Sequence, residues 1–171
     1  SGPDTPAPDA DAINQVFYSG QEPGLAQAWI STWRSNEALD PGVLNGTSPF
    51  YALRYPAHAP NPEDEWQKRC PNWTREHSEA YDATLTAILA TLESTHPEAN
   101  ELRFCIHLAQ WANARARERA QNHPAAPEAD TQLQTLESEL TTLWQTRSRP
   151  GGLQDSLRKL RFALHPDGVR P

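Results

Sequence analysis

The chain has no methionine and only two cysteines among its 171 residues, and it contains no long apolar run. Each shortage excludes something. Two thiols, Cys70 and Cys105, cannot build a disulfide scaffold. A chain of this length does not need one, because it is long enough to bury its own core. A bilayer span requires roughly 20 consecutive apolar residues, and none is present. Positive charge is also short, with 15 Lys and Arg against 22 Asp and Glu and a net charge of −7. Nonspecific binding to nucleic acid or to an anionic membrane is therefore not expected. The first residues lack the basic and apolar segments of a signal peptide, which slightly favours a cytoplasmic location. The missing methionine suggests a chain that lost its initiator or was cut from a longer one.

Hydrophobic residues make up 37% of the chain and Pro is frequent at 16 residues, a composition that points to polar connections between compact elements. Residues 1–10 read as a disordered lead-in, 11–165 as one helical domain, and 166–171 as a disordered tail. Asp11 to Tyr18 forms a short helix stopped near Gly20. A second begins at Pro23 and runs to about Arg34, with Leu25, Ala28, Trp29 and Trp33 on one face. Pro fits its first turn, where the amide is unpaired in any case. Residues 37–71 hold repeated Pro, Gly and Asn breakers around the aromatic segment Phe50 to Tyr55, and read as a long Pro-rich aromatic connection.

The next helices carry clearer stripes. Tyr81, Leu85, Ile88, Leu89 and Leu92 mark a helix over about 73–94. Thr95-His96-Pro97-Glu98 has the form of a capping box. The following helix has a wide apolar arc of Leu102, Cys105, Ile106, Leu108, Ala109 and Ala112, and is expected to be central, with Cys105 read as a buried free thiol and a single disulfide to Cys70 as the alternative. Asp130 is placed as N-cap of a helix to about Arg147, whose Leu133, Leu136, Leu140 and Leu143 form a packing seam. Pro150-Gly151-Gly152 makes a sharp turn before a last helix with Leu153, Leu157, Leu160 and Leu164. No strand pattern competes. The fold class is all-α, an antiparallel bundle of about five or six helices.

Familiar chemistry is absent. There is no His-Glu-x-x-His, no phosphate loop and no Gly-x-Ser-x-Gly elbow. The six His are scattered, and neither a metal nor a cofactor site is expected. Glu63, Asp64 and Glu65 beside Trp66 are a carboxylate cluster of the kind glycoside hydrolysis uses in pairs, although a solvated acidic loop is the simpler reading. Trp29, Trp33 and Trp144 are assigned to the core, where a large ring buries most area. Trp66 and Trp73, beside Pro-rich turns, and Tyr55 are better placed to meet a ligand.

The segment Leu143-Trp144-Gln145-Thr146-Arg147-Ser148-Arg149-Pro150-Gly151-Gly152-Leu153-Gln154-Asp155-Ser156 resembles a stretch near the C-terminus of bacterial glycoside hydrolases of family 20, the β-N-acetylhexosaminidase-like enzymes. Ser148 stands where that pattern has Asn. Asn45 to Leu53 and Ala99 to Phe104 are similar to upstream segments of the same region. The resemblance implies a helical part that follows a catalytic barrel. A barrel of that type needs about 250 residues, so no catalytic residue carries over. The implied role is a non-catalytic module packed on a carbohydrate-active domain, with Arg147 and Arg149 pairing with carboxylates of that partner. Such a module should expose apolar residues on a docking face. An independent binding protein should instead have a closed polar surface and an aromatic pocket, here from Tyr55, Trp66 and Trp73. A small stand-alone enzyme would use Glu63 or Glu65 with a His brought near in space.

Overall fold

The computed structural model describes residues 9–39, 74–120, 126–147 and 151–162. Among them are six α-helices and no strand: α1 (Ala10–Tyr18), α2 (Pro23–Ser35), α3 (Arg75–Thr91), α4 (Pro97–Ala120), α5 (Ala129–Arg147) and α6 (Leu153–Phe162). A 3-10 turn, Asn36–Ala38, follows α2 and delivers Leu39 to the core. The all-α class is as the periodicity predicts. No helix among the described residues is long and apolar enough to cross a membrane.

The helix ends are set by local hydrogen bonding. Asp9 caps α1, its carboxylate accepting from the Ala12 amide at 2.7 Å. At the other end Ser19 and Gly20 both take left-handed backbone angles, φ 53° and 78°. The buried Asn14 then holds the turn, its side-chain carbonyl accepting from the Glu22 amide at 2.8 Å. Thr74 caps α3 by accepting from the His77 amide. Two spacings predicted from sequence are corrected. The Thr95–Glu98 capping box does not form, because the Glu98 amide donates to His96 Nδ1 and the Glu98 carboxylate is taken by Tyr18. Asp130 is not an N-cap but lies within the first turn of α5, where its charge still suits the positive helix end.

Helix α4 organises the molecule, packing against α2, α3 and α5. It does so with two apolar stripes. Ala99, Leu102, Ile106 and Ala109 join residues of α1, α2 and α3 in one core cluster. Phe104, Leu108 and Trp111 join Ala129, Leu133 and Leu136 of α5 and Leu160 of α6 in a second. The stripes keep the same four-then-three spacing but are offset by two residues, which on an α-helix is more than half a turn. They therefore occupy opposite faces, and this is the physical content of the wide arc seen in the sequence. Ala109, Ala112 and Ala116 are buried, and side chains this small let neighbouring helices approach α4 closely.

Three burial expectations change. Cys105 is an exposed free thiol rather than a core residue, since it falls between the two stripes. Crowding around its sulfur and the charge of Glu101 nevertheless push the thiol pKa up. Trp33 is exposed rather than in the core, Trp29 and Trp144 are half-buried, and among the described residues the buried indole is Trp111. In the α5 seam Leu133 and Leu136 are buried, whereas Leu140 and Leu143 are half-buried.

The turn into α6 rests on Gly152, whose φ is 89°. A Cβ built there would sit 3.3 Å from Cζ2 of Trp144, while one on Gly151 would meet nothing within 4 Å. Gly152→Ala should cost about 1–2 kcal/mol, combining left-handed strain with displacement of the indole. Gly151→Ala should change stability by less than about 0.5 kcal/mol. Urea unfolding of the two variants checks this, and equal losses would contradict the assignment.

Candidate functional site

Three places gather groups that chemistry or recognition could use. The first is a polar clamp where the ends of α1, α4 and α5 meet. The Tyr18 hydroxyl donates to Glu98 Oε2 at 2.6 Å, and its ring meets His96 edge-on with centroids 5.3 Å apart. Arg147, the arginine of the family-like segment, turns onto Glu101 with Nε–Oε1 2.8 Å and reaches Glu98 at 3.5 Å. Arg103 closes the neighbouring end of α3 by donating to the Leu92 and Ser94 carbonyls, both at 2.9 Å. The sequence resemblance directs Arg147 to a partner's carboxylates; in the structure it is engaged by the chain's own Glu98 and Glu101. Arg149 lies outside the described residues.

The clamp makes stability depend on pH at both ends. The hydrogen bond from Tyr18, helped by the Arg147 guanidinium and opposed by burial, holds the Glu98 carboxyl below its ordinary 4.5. A depressed carboxylate contributes stability above its unfolded pKa and loses it as pH falls through the folded value. Burial first, and then Glu98, push the Tyr18 phenol from 10.0 to about 12. A raised acid contributes below its unfolded pKa, and that contribution disappears as pH climbs from 10 towards 12. Thermal midpoints followed against pH should fall less steeply below pH 4.5 in Glu98→Gln, and less steeply above pH 10 in Tyr18→Phe. Profiles parallel to that of the parent chain would contradict a clamp that contributes to stability.

The second place is a groove of about 510 Å³ along α4, flanked by α3 and α5. Its apolar lining is Ala114 with the nearly covered Trp111 and Leu136 of the second core cluster. On one side Arg117 pairs with Asp82, and Asn113, fully buried behind them, donates to Asp82 Oδ1 and to the Ser78 carbonyl. The Ser78 hydroxyl completes the network by donating to Asn113 Oδ1 at 2.8 Å. On the other side His107 Nδ1 stands 3.3 Å from Glu139 Oε2. Gln110 donates to Thr86 at 3.0 Å. Most polar groups of the groove thus already tie one helix to the next. No group of three or more His, Cys, Asp or Glu capable of holding a metal ion occurs among the described residues.

The third place is apolar. Val16 and Phe17 on α1 are 74% and 73% exposed, and Trp33 on α2 is 60% exposed. Ile13, half-buried against the core, lies three and four residues before the α1 pair and so shares their side of the helix. This face is not among the sites proposed from sequence.

Of the residues proposed from sequence to bind a ligand, Tyr55, Trp66 and Trp73 lie outside the described residues, as do Cys70 and the Glu63–Glu65 cluster. The groove's aromatic is Trp111, which the sequence reading does not select. No family model, curated protein or solved structure matches this chain.

Proposed function

We propose that this chain is a non-catalytic helical accessory module that packs on a carbohydrate-active catalytic domain. The observation that carries the reading is the exposure of Val16 and Phe17 on α1, with Trp33 also exposed on α2. Scattered surface hydrophobics are ordinary, but two large ones adjacent on a short helix mark a surface with something to dock against. The resemblance of the segment from Leu143 to Ser156 to the C-terminal region of family 20 glycoside hydrolases supplies the kind of partner. Within this chain that segment also has a structural role, since Arg147 ties α5 to α4 and Gly152 turns the backbone beneath Trp144.

The test is the mass and activity of the native assembly that holds the chain, assayed with an aryl N-acetylglucosaminide. The reading expects a larger polypeptide to copurify and the assembly to cleave the substrate. A chain found alone and inactive would sink it. The groove along α4 favours a second reading, an independent module for a small polar ligand, because Trp111 and the Asp82 and Glu139 carboxylates line one concavity. A glycan-binding screen with Glu139→Ala as control tests that alternative, which fails if both chains respond alike.

A further inference from the structure

We infer that α5 and α6 open from α4 together, as one unit, while α1 to α4 stay folded. The opening uncovers the α4 stripe of Phe104, Leu108 and Trp111. Among the described residues α5 packs chiefly on α4 and α6, and α6 on α5, so α4 is the surface this pair leaves. The two apolar clusters share no residue. Detaching α5 and α6 therefore takes apart the second cluster and leaves the first complete. The pair has its own ties: Arg161 of α6 binds the Glu137 carboxylate of α5, and Gly152 turns the chain against Trp144. This opening is independent of the accessory role, which rests on the exposed residues of α1.

Unpaired donors select the interface that gives way. Trp111 and Arg115 stand one turn apart on α4, and each is 4% exposed. Trp111 belongs to the cluster shared with α5, and the charge of Asp130, in the first turn of α5, acts on Arg115. Nε1 of Trp111 and Nε of Arg115 are both closed to solvent and without a hydrogen-bond partner. A buried unpaired donor has given up its hydration for nothing, and opening returns water to both. The Glu118 partner of Arg115 comes from α4 itself, so that ion pair survives the opening. The α3 side of α4 is the contrary case. Asn113 and Ser78 are fully buried there, and Asn113 donates to Asp82 and to the Ser78 carbonyl while accepting from the Ser78 hydroxyl. This satisfied network keeps α4 seated on α3 when α5 leaves. The polar ties of α5 to α4 at Arg147 with Glu98 and Glu101, and at Glu139 with His107, join side chains 30% to 46% exposed. Solvent screens such pairs, so they hold the interface weakly.

Native-state hydrogen exchange on the full chain, at low denaturant concentrations, measures the opening, with the indole N–H of Trp111 as an added probe. The slowest amides of α5 and α6 and that indole are expected to converge on one protection factor and one denaturant slope. Their protection should lie about tenfold or more below that of the slowest amides of α3, with a smaller slope because less surface is exposed. Ile88→Val then tests the division. Ile88 is buried in the first cluster and packs alike in the closed and open forms. The substitution should speed the α3 amides about threefold and leave α5, α6 and the Trp111 indole unchanged. Arg115→Met combined with Glu118→Gln tests the cause. It removes the buried charge and its unpaired Nε, keeps an acceptor for the Ala126 amide, and should slow the opening about threefold. The inference is overturned if α5 and α6 share the protection and slope of α3, or if Ile88→Val speeds both groups alike. Exchange that proceeds residue by residue along α5 without a common slope overturns it too, as does a double variant that opens as fast as the parent chain.

Discussion

Leu102→Ala is expected to lower the free energy of unfolding by about 2–5 kcal/mol, the range for deleting a fully buried leucine side chain. Leu102 has no exposed surface and lies in the stripe of α4 that faces α1, α2 and α3. Its removal withdraws the transfer free energy of the lost carbons and leaves a cavity that neighbours on three helices cannot all close. Domains of this size hold about 5–15 kcal/mol in total, so the variant loses a large share of its margin. Cys105→Ala, three residues further along the same helix, is the internal control. Its side chain is exposed, and the substitution should cost less than about 0.5 kcal/mol. Urea unfolding of both variants gives the comparison. Similar losses would mean that α4 is not divided into the two stripes described above.

Glu118→Ala should cost about 3 kcal/mol for a different reason. Arg115 is 4% exposed and its guanidinium is matched by Glu118 one turn ahead. Its Nε has no hydrogen-bond partner, and burial already pulls the guanidinium pKa down. Removing Glu118 strands a buried cation, which is far more costly than never having placed the pair there. The charge of Asp130 also favours the cation, which keeps the expected loss near the lower end of the range for broken buried pairs. Glu118 has a second role, accepting from the Ala126 amide at 3.0 Å just before α5. A double variant separates the two. Adding Arg115→Met to Glu118→Ala should recover most of the stability if the stranded charge is the cause. No recovery would place the loss in the Ala126 contact instead.

The α1 face and the clamp differ from the helices in how far they are legible in sequence. Helix positions are readable because a 3.6-residue period is a local property: Pro23 starts α2 and Pro97 starts α4, while the left-handed Gly152 precedes α6. The central place of α4 is readable from the breadth of its apolar arc. The capping box fails because the groups it would have used find stronger partners elsewhere, Tyr18 lying 80 residues away from Glu98 in the chain. Competition of that kind is not written in any local motif.

By itself, then, the sequence determined the helical class, most helix boundaries, the absence of a long apolar span and the acidic character of the first 33 residues. These follow from spacing, backbone preference and composition, each of which acts over a few residues or over none. Only the tertiary structure decided that Arg147 binds Glu101 within the chain, that Trp111 rather than Trp33 fills a core, and that Phe17 is left open. Each of those outcomes depends on which surfaces of other helices arrive, and burial is a property of the assembled neighbours rather than of the residue's own position on its helix.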